Sequence, residues 1–324
     1  MVARFHFLYS GIEEIGLFIA YIGAFSALLA AFIATRQTDI KKILAYSTMS
    51  QLGYMFIAVG LGFYSTGLFH VFTHAFFKAM LFMGAGGVIM AIHHEQNIFK
   101  IAQHRASLPI IGATFLVGVI AISGIPPFSG FFSKDAILAA AFQEGQYLIW
   151  AIAMFTAFLT AFYMFRMYFI VFVAPNHHDE HYVYTSKTIT IPLLILAIGA
   201  IGAGFLNLPT VFGGNHFVDT WLGQLNSKHI HMDIVTEYVL MALSIIVAAT
   251  GIMAAYSKYA NFDVTKPEDE TGLIGNKFYV DEIYNVLFVQ STKKVSTFID
   301  KVVDEKIIDA FIMNSAIGFV NIGK

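Results

Sequence analysis

The sequence of 324 residues contains no cysteine, and only 12% of its residues are Asp, Glu, Lys or Arg. The missing cysteines exclude disulfide bonds, thiolate zinc sites and cysteine-ligated iron–sulfur clusters. A soluble domain carries roughly 25% charged residues, so an ordinary soluble enzyme is also excluded. The net charge of −2 and the lack of any Lys/Arg cluster give no indication of nucleic-acid binding.

Signatures of covalent catalysis are also missing from the sequence. It contains no phosphate loop, no GxSxG nucleophile elbow and no dinucleotide-binding fingerprint. We therefore expect this chain to perform no covalent chemistry of its own.

Long apolar runs fill most of the first 256 residues, and the AVILMFWYC set makes up 57% of the chain. A bilayer core needs about 20 predominantly apolar residues in a helix. Backbone groups in lipid must be paired internally, which favours helices. The segments that qualify are 15–34, 43–63, 68–92, 108–142, 147–173, 189–206 and 235–256. The sequence therefore predicts an all-α membrane protein with about seven transmembrane helices.

Lysine and arginine concentrate in alternate connections between these segments, which predicts the orientation of the chain. The charged connections hold Arg36, Lys41, Lys42, Lys100, Arg105, Arg166 and Lys187. Residues 64–66 and 144–146 carry no Lys or Arg, and residues 207–233 carry only Lys228. Because basic loops stay on the cytoplasmic side, we expect the N-terminus outside and the C-terminal tail in the cytoplasm.

The fourth segment, 108–142, is too long for one span and is interrupted by SGIPPFSG at 123–130. Two prolines remove backbone donors and the glycines weaken the helix further. Broken helices at membrane depth occur where protein or a water-filled cavity satisfies the freed groups, and in transporters they mark the ion site. We therefore predict a transmembrane helix that is broken at its centre.

The last part of the chain, residues 277–324, has a different pattern. Apolar residues recur there at roughly helical spacing between charged ones: Ile283, Leu287, Val295, Phe298, Ile299, Val302, Ile308 and Phe311. This pattern predicts an amphipathic helix that lies along the membrane or along another subunit. Residues 257–276, which include Pro267 and three consecutive acidic residues, are predicted to form a hinge before it.

The third segment carries ionisable residues deep in an apolar run. His70, His74 and Lys78 are four residues apart, so their side chains follow one face of a helix. A lysine at the centre of a membrane helix costs about 2.5–3.5 kcal/mol, which makes it a functional candidate. Together these groups form a ladder that can hold and release a proton. The alternatives are hydrogen-bonded histidines with a lysine that reaches the membrane interface, and a metal site, although no carboxylate or thiolate shares this face.

Lys134 follows the break directly and is adjacent to Asp135. The N-terminus of the second half-helix carries about +0.5 charge, which disfavours a protonated amine, whereas Asp135 favours one. This competition would leave Lys134 poised between charge states, as a proton relay requires. The alternative is a simple Lys134–Asp135 pair at the helix start, although adjacent helical residues point about 100° apart.

Two histidine-rich stretches, 93–95 and 177–181, contain metal-ligand residue types. Both lie in predicted cytoplasmic loops, where solvated polar residues are common, so we expect no metal site. The connection 37–42 is predicted to be an ordered turn that places Asp39 near a helix N-terminus.

Several of these stretches resemble the largest antiporter-like membrane subunit of the respiratory NADH–quinone oxidoreductase, complex I, which is subunit L in bacteria. They are QTDIKKILAYSTMSQLGY at 37–54, the His70/His74/Lys78 helix, HHEQN at 93–97 and GIPPFSGFFSKD at 124–135. The first, second and fourth are shared with other antiporter-like subunits, including those of Na⁺/H⁺ antiporters and membrane hydrogenases. The histidine loop and KFYVDEIY at 277–284 favour subunit L.

The resemblance implies roles for the candidate residues. Lys78 would be the central lysine of a proton relay, connected and hydrated by His70 and His74. Lys134, beside Asp135, would be the broken-helix lysine that leads toward the outer half-channel.

The resemblance also implies a division of the chain. Residues 1–14 would be an outer loop and 15–174 a second antiporter-like five-helix repeat that holds the proton pathway. Residues 189–256 would add two further transmembrane helices, 257–276 the hinge, and 277–324 the start of a lateral amphipathic helix along neighbouring antiporter-like subunits.

In this family the chain would be a subunit of a NADH:quinone oxidoreductase in the bacterial inner (cell) membrane. Its partners would be the other complex I membrane subunits and the lipid bilayer, with no nucleic acid. Its proton translocation would be coupled to quinone reduction elsewhere, within respiratory electron transport that drives ATP synthesis. No redox active site and no cofactor are expected in this chain, since NADH, FMN, iron–sulfur clusters and quinone would be bound by other subunits.

The chain also departs from the family pattern. The family has two inverted five-helix repeats, and this sequence is expected to begin at the end of the first, with Met1 an internal methionine of a longer protein. The glutamate and lysine of the first repeat and the last membrane helix would then be missing. The alternatives are a Mrp-type Na⁺/H⁺ antiporter or hydrogenase membrane subunit, and a truncated fragment that inserts but does not pump.

Overall fold

Long apolar helices form most of the protein, as the composition predicts. The computed structural model describes residues 1–9, 11–103, 106–175, 181–182, 186–214, 217–225, 227–266, 268 and 272–323. The chain divides into two compact units, Met1–Glu270 and Thr271–Lys324. The helices of the first unit are α1 (Glu13–Arg36), α2 (Ile40–Gly60), α3 (Tyr64–Ala91), α4 (Ile98–Gln103), α5 (Pro109–Ser123), α6 (Ser129–Gln143), α7 (Tyr147–Tyr168), α8 (Lys187–Gly202), α9 (Phe217–Trp221) and α10 (Ile234–Tyr259).

Six stretches of the described chain are long and apolar enough to cross a membrane. They are Glu13–Arg36, Ile40–Gly60, Tyr64–Ala91, Tyr147–Val173, Lys187–Leu206 and Ile234–Tyr259. Two of them continue beyond an α-helix, since a π-helical turn at Phe169–Val173 extends α7 and a 3₁₀ turn at Ala203–Leu206 extends α8. The pair α5 and α6, with 15 residues each, provides the broken segment. The prediction of an all-α, multi-pass membrane protein is confirmed.

The predicted turn at 37–42 is an N-cap. The Asp39 carboxylate accepts hydrogen bonds from the backbone N–H groups of Lys41 at 2.8 Å and Lys42 at 3.1 Å, which pairs two of the free donors at the start of α2. An isolated bridge joins Asp39 to Asn97, so the turn is fixed to the loop after α3. Nearby, the two-residue strands β1 (Ala106–Ser107) and β2 (His181–Tyr182) pair in parallel.

Helices α1 and α2 pack with their backbones in close contact at two glycine pairs. A Cβ atom on Gly23 would lie 2.7 Å from the carbonyl oxygen of Gly53, and one on Gly60 would lie 2.6 Å from the carbonyl oxygen of Gly16. Small residues allow this approach, which is a common way for helices to associate in membranes.

The break in the fourth segment is where the prolines predict it. Helix α5 ends at Ser123, and the following Gly124 adopts a positive φ of 77°, a conformation that glycine accepts at a helix C-terminus. Helix α6 begins at Ser129, and Gly130 packs against the carbonyl group of Ala121, so both half-helices stay in contact. The prediction of a broken helix is confirmed.

A buried arginine holds the end of α7 to the segment after α10. Arg166 is fully buried; its Nη1 donates to the carbonyl oxygen of Gln37 at 2.8 Å and its Nη2 lies 3.6 Å from Oε2 of Glu268. Glu268 also pairs with Lys258 at 2.5 Å and accepts from the Tyr259 hydroxyl at 3.0 Å. The predicted hinge 257–276 therefore begins inside α10, which runs to Tyr259, and is anchored at Glu268.

The second unit is helical along most of its described length. After the short helix α11 (Gly272–Gly275), helical backbone continues from Val280 to Ile322. Its segments are α12 (Val280–Tyr284), π-helical turns at Asn285–Gln290, α13 (Ser291–Phe298), π-helical turns at Ile299–Asp309, and α14 (Ala310–Ile322). The prediction of a long C-terminal helix is confirmed.

Candidate functional site

The three ionisable residues of α3 lie on one buried face. The exposed fractions of His70, His74 and Lys78 are 1%, 9% and 5%. The ring centroids of the two histidines are 6.2 Å apart, one helical turn along α3. This arrangement confirms that the four-residue spacing places the groups in register, and it turns them toward the protein interior rather than the lipid.

His70 connects three helices through hydrogen bonds at both ring nitrogens. Its Nδ1 lies 2.9 Å from the hydroxyl oxygen of Ser133 on α6, and its Nε2 lies 3.0 Å from Oε1 of Gln51 on α2. Thr73 joins the same cluster, with its hydroxyl oxygen 2.7 Å from that of Ser133. His70 is thus held by polar partners from α2 and α6.

Lys78 is held by groups of α2. Its Nζ donates to the carbonyl oxygen of Leu44 at 2.7 Å and to the hydroxyl of Ser47. The Phe82 ring centre lies 5.4 Å from the same nitrogen. Among the described residues no carboxylate lies within 4.0 Å of it. The alternative of a lysine that reaches the membrane interface does not fit a side chain that is turned inward to α2.

The charge of Lys134 is compensated by its surroundings even less than that of Lys78. Its exposed fraction is 3%, and its Nζ has no hydrogen-bond partner in the part of the chain that the structure describes. Its Nζ lies over the face of the Tyr54 ring, whose centre is 4.9 Å away. An aromatic face stabilises a cation without accepting its proton.

The side chain of Asp135 points to α10, whereas that of Lys134 lies over Tyr54 of α2. Its Oδ1 accepts a hydrogen bond from the Ser244 hydroxyl of α10 at 2.8 Å. Within the described ranges no ion pair joins Lys134 to Asp135. The two side chains therefore have separate environments, which argues against the alternative of a simple Lys–Asp pair at the helix start.

A cavity of about 460 Å³ opens beside Asp135. Its lining includes Asp219 of α9, Glu237 at the start of α10, and His229 and His231 from the connection between these helices. Asp135 thus lies where the buried site borders this cavity.

The loop His93-His94-Glu95 is built around its glutamate. Glu95 Oε1 accepts from the backbone N–H groups of Asn97 and Gln96, each at 2.9 Å, and Oε2 lies 3.7 Å from Nζ of Lys100. The Asn97 hydrogen bond is the main cause that lowers the pKa of Glu95. No group of three His, Cys, Asp or Glu residues that could hold a metal occurs among the described residues. Residues 176–180, which hold most of the second histidine-rich stretch, lie outside them.

Several site residues were not singled out by the sequence analysis. They are Ser47, Gln51, Tyr54, Thr73, Ser133 and Ser244. All are polar or aromatic side chains within apolar helices. That signal exists in the sequence, but it does not tell which of the many such residues face the interior.

Taken together, fold and site define a multi-pass membrane protein with a broken helix beside buried ionisable groups. Residues 1–160 match the family described as NADH:quinone oxidoreductase/Mrp antiporter, transmembrane. These residues belong to that family.

Most of the chain is homologous to named subunits of this family. The NADH-quinone oxidoreductase subunit L of Campylobacter jejuni is 35% identical, and the match covers 100% of this chain and 53% of that protein. The NAD(P)H-quinone oxidoreductase chain 5 of Picosynechococcus sp. is 38% identical, with 95% of this chain and 52% of that protein covered. The chain spans about half the length of these relatives.

A solved structure shows the same fold. The match to the Mrp complex from Dietzia sp. DQ12-45-1b has a TM-score of 0.51 at 18% identity, and it covers 76% of this chain and 49% of that chain. At this identity the match concerns the fold alone.

Proposed function

We propose that this chain is an antiporter-like membrane subunit of a NADH–quinone oxidoreductase, and that it passes protons along His70, His74, Lys78, Lys134 and Asp135. The observation that carries the proposal is the pair of buried lysines, neither of which has a carboxylate partner within 4.0 Å among the described residues.

The energetic argument is that a permanent buried charge needs a permanent counter-charge. Burial of an unpaired ion costs on the order of several kcal/mol, even after the protein has relaxed around it. Among the described residues, Lys78 has a carbonyl oxygen, a hydroxyl oxygen and the Phe82 ring as partners, and Lys134 has an aromatic ring alone. Sites of this kind favour groups whose charge changes, and that is the property a proton relay needs.

The positions of the groups along α6 and α3, joined by the contact between Ser133 and His70, support a defined order. Asp135 lies beside the cavity, followed by Lys134 on the same helix, then by Ser133 in contact with His70. His74 lies one turn from His70 along α3, and Lys78 one turn further. The order leads from this cavity, along α6 of the broken segment, to the centre of α3.

We propose that the Asp135 cavity faces the outside of a bacterial inner membrane, with the C-terminal tail in the cytoplasm. The distribution of Lys and Arg supports this orientation. Contacts between connections that were predicted on the same side also support it. Lys228 pairs with Glu144 at 2.5 Å, and the Ser227 hydroxyl lies 3.0 Å from that of Ser65.

We further propose that other membrane subunits of the complex complete the pathway, and that the second unit contacts neighbouring antiporter-like subunits. Redox cofactors and quinone would be bound elsewhere in the complex, and quinone reduction there would drive the relay. The names of the relatives support this assignment, and those relatives are about twice as long as this chain.

A Mrp-type Na⁺/H⁺ antiporter subunit is the second candidate. Two findings favour it: the family description includes Mrp antiporters, and the fold matches a Mrp complex. Reconstitution under a Na⁺ gradient separates the two candidates. Na⁺-coupled proton counter-transport would support the antiporter, and proton transport that requires NADH and quinone would support the oxidoreductase.

The relay is tested with Lys78→Met in the assembled complex, reconstituted into vesicles and driven by NADH and quinone. We expect proton uptake to fall about 100-fold, the scale of a lost acid–base group. Lys42→Met is the matched control, because Lys42 is exposed and only its backbone N–H contacts Asp39. Normal proton uptake by assembled Lys78→Met complex would refute the proposed relay.

A further inference from the structure

The hydroxyl group of Ser133 lies within hydrogen-bond distance of three polar groups but has a single hydrogen to donate. The side chain is fully buried on the first turns of α6. Its Oγ lies 2.9 Å from Nδ1 of His70, 2.7 Å from the hydroxyl oxygen of Thr73 and 3.2 Å from the carbonyl oxygen of Ser129. A serine hydroxyl has one hydrogen to donate, so these contacts cannot all be made by donation from Ser133.

The proton on Nδ1 of His70 decides which way the hydroxyl points. The Ser129 carbonyl oxygen can only accept. When Nδ1 carries no hydrogen, it must accept from Ser133, and the Ser129 carbonyl loses this donor. When Nδ1 carries a hydrogen, it donates to Ser133, and the Ser133 hydrogen can turn to Ser129. In both cases the Thr73 hydroxyl can donate to Ser133.

The other ring nitrogen does not need to change its hydrogen bond. Nε2 of His70 lies 3.0 Å from Oε1 of Gln51, an oxygen that accepts. An Nε2–H group keeps this bond both in the neutral ring with a bare Nδ1 and in the imidazolium ion. Protonation of His70 at Nδ1 therefore changes only its hydrogen bond to Ser133 and leaves its hydrogen bond to Gln51 in place.

The change in the hydrogen bond of Ser133 affects α6, the helix that carries Lys134. Ser133 precedes Lys134, and its alternative acceptor, Ser129, is the first residue of α6, just after the break. The titratable groups that act on His70 are His74 on its own helix and Lys134 on α6. From α2 its contact is the uncharged Gln51.

We infer that Ser133 is a positioning residue that reverses its hydrogen bond whenever Nδ1 of His70 gains or loses a proton. It thereby couples the charge of His70 to the first turn of α6, the helix that carries Lys134. The proton on Nδ1 comes from the relay and returns to it, while Ser133 keeps its own hydrogen and only rotates it. The inference rests on the proposed relay function.

The test uses the assembled complex in vesicles and measures NADH-driven proton uptake. Ser133→Ala is expected to lower the rate about tenfold, the effect of one buried hydrogen bond lost at the rate-limiting step. Ser133→Thr keeps the hydroxyl and is expected to retain most of the rate. Ser123→Ala is the matched control, because the hydroxyl of this buried serine donates to Val119 of its own helix and to no other described residue.

A double-mutant cycle separates coupling from a merely structural effect. If Ser133 acts through His70, then Ser133→Ala lowers the rate no further once His70→Gln is present. Equal effects in both backgrounds would overturn the inference, as would a wild-type rate for Ser133→Ala or a Ser133→Thr rate as low as that of Ser133→Ala. Native gels establish that every variant is assembled.

The outcome also distinguishes this inference from the proposed function. If Lys78→Met and His70→Gln pump normally, the relay itself is wrong. If both lose pumping while Ser133→Ala retains it, the relay stands and only the role of Ser133 is refuted.

Discussion

The Nζ atom of Lys134 lies 4.9 Å from the centre of the Tyr54 ring, and the Tyr54 hydroxyl donates to the carbonyl oxygen of Ala153 at 2.5 Å. The ring that faces the lysine is thus fixed between α2 and α7. A desolvated cation–π contact is worth about 2 kcal/mol. It stabilises the charged lysine but, unlike a carboxylate, offers no site for its proton.

Substitution of Tyr54 separates the two contacts. Tyr54→Phe keeps the ring and is expected to retain proton uptake, with a loss of stability of about 1 kcal/mol for the hydrogen bond to Ala153. Tyr54→Leu removes the ring and is expected to lower proton uptake by about 30-fold, since a cation–π contact of about 2 kcal/mol corresponds to that factor. Proton uptake in vesicles and thermal unfolding of the complex measure the two effects. Equal proton uptake by both variants would contradict a role for the ring.

Asp135 should be needed as an acid and not merely as a hydrogen-bond acceptor. Asp135→Asn keeps an oxygen for Ser244 but cannot release a proton, so proton uptake is expected to fall about 100-fold. Ser244→Ala keeps the carboxylate and loses one hydrogen bond, so a smaller decrease is expected. Glu144→Gln, on an exposed ion pair with Lys228, serves as the control. A normal rate of proton uptake for Asp135→Asn would mean that protons pass between the relay and the outside by way of another group.

The glycine contacts between α1 and α2 predict a sharp difference between two similar substitutions. Gly53→Ala would place a Cβ atom 2.7 Å from the backbone nitrogen of Ala27, so the helices must separate at a cost of about 1–3 kcal/mol. Gly86→Ala, on α3, meets nothing within 4 Å and should be neutral or slightly stabilising. The yield of folded protein and its melting temperature are the readouts. Equal stability of the two variants would refute the close-packing interpretation.

Much of this fold can be read from the sequence because the bilayer leaves few options. Apolar runs of spanning length must be helices, and the prolines near 126 fix the break between α5 and α6. The four-residue spacing places His70, His74 and Lys78 on one face of any helix. Local rules therefore suffice for the elements and for the histidine–lysine ladder.

The partners of these residues could not be predicted, because they come from other helices. Gln51 and Ser133 meet His70 from α2 and α6, and nothing in their local sequence indicates which way they face. Arg166 and Glu268 are far apart in the chain, and they meet only because α7 and α10 pack side by side. Lys134 and Asp135 are neighbours in sequence but face different helices, as the angle of about 100° between adjacent helical side chains leads one to expect.

Glu268 predicts a pH-dependent anchor for the segment after α10. Burial opposes its ionisation, but Lys258, Arg166 and Tyr259 outweigh burial and lower the pKa of Glu268 below its ordinary value. A carboxyl group with a lowered pKa in the folded state stabilises that state above its ordinary pKa, and this contribution is lost as the pH falls through the lowered value. Residues 261–266 should therefore be held at neutral pH and released in acid.

The absence of native cysteine allows a single label to report this release. A spin label on Lys266→Cys, an exposed position, is expected to become more mobile as the pH falls from about 7 to about 3. With Glu268→Gln the label should already be mobile at neutral pH, because an amide cannot pair with Arg166 and Lys258 as a carboxylate does. Glu14→Gln, an exposed carboxylate in the first turn of α1, is the control. If Glu268→Gln kept the pH dependence of the wild-type chain, another group would have to be the anchor.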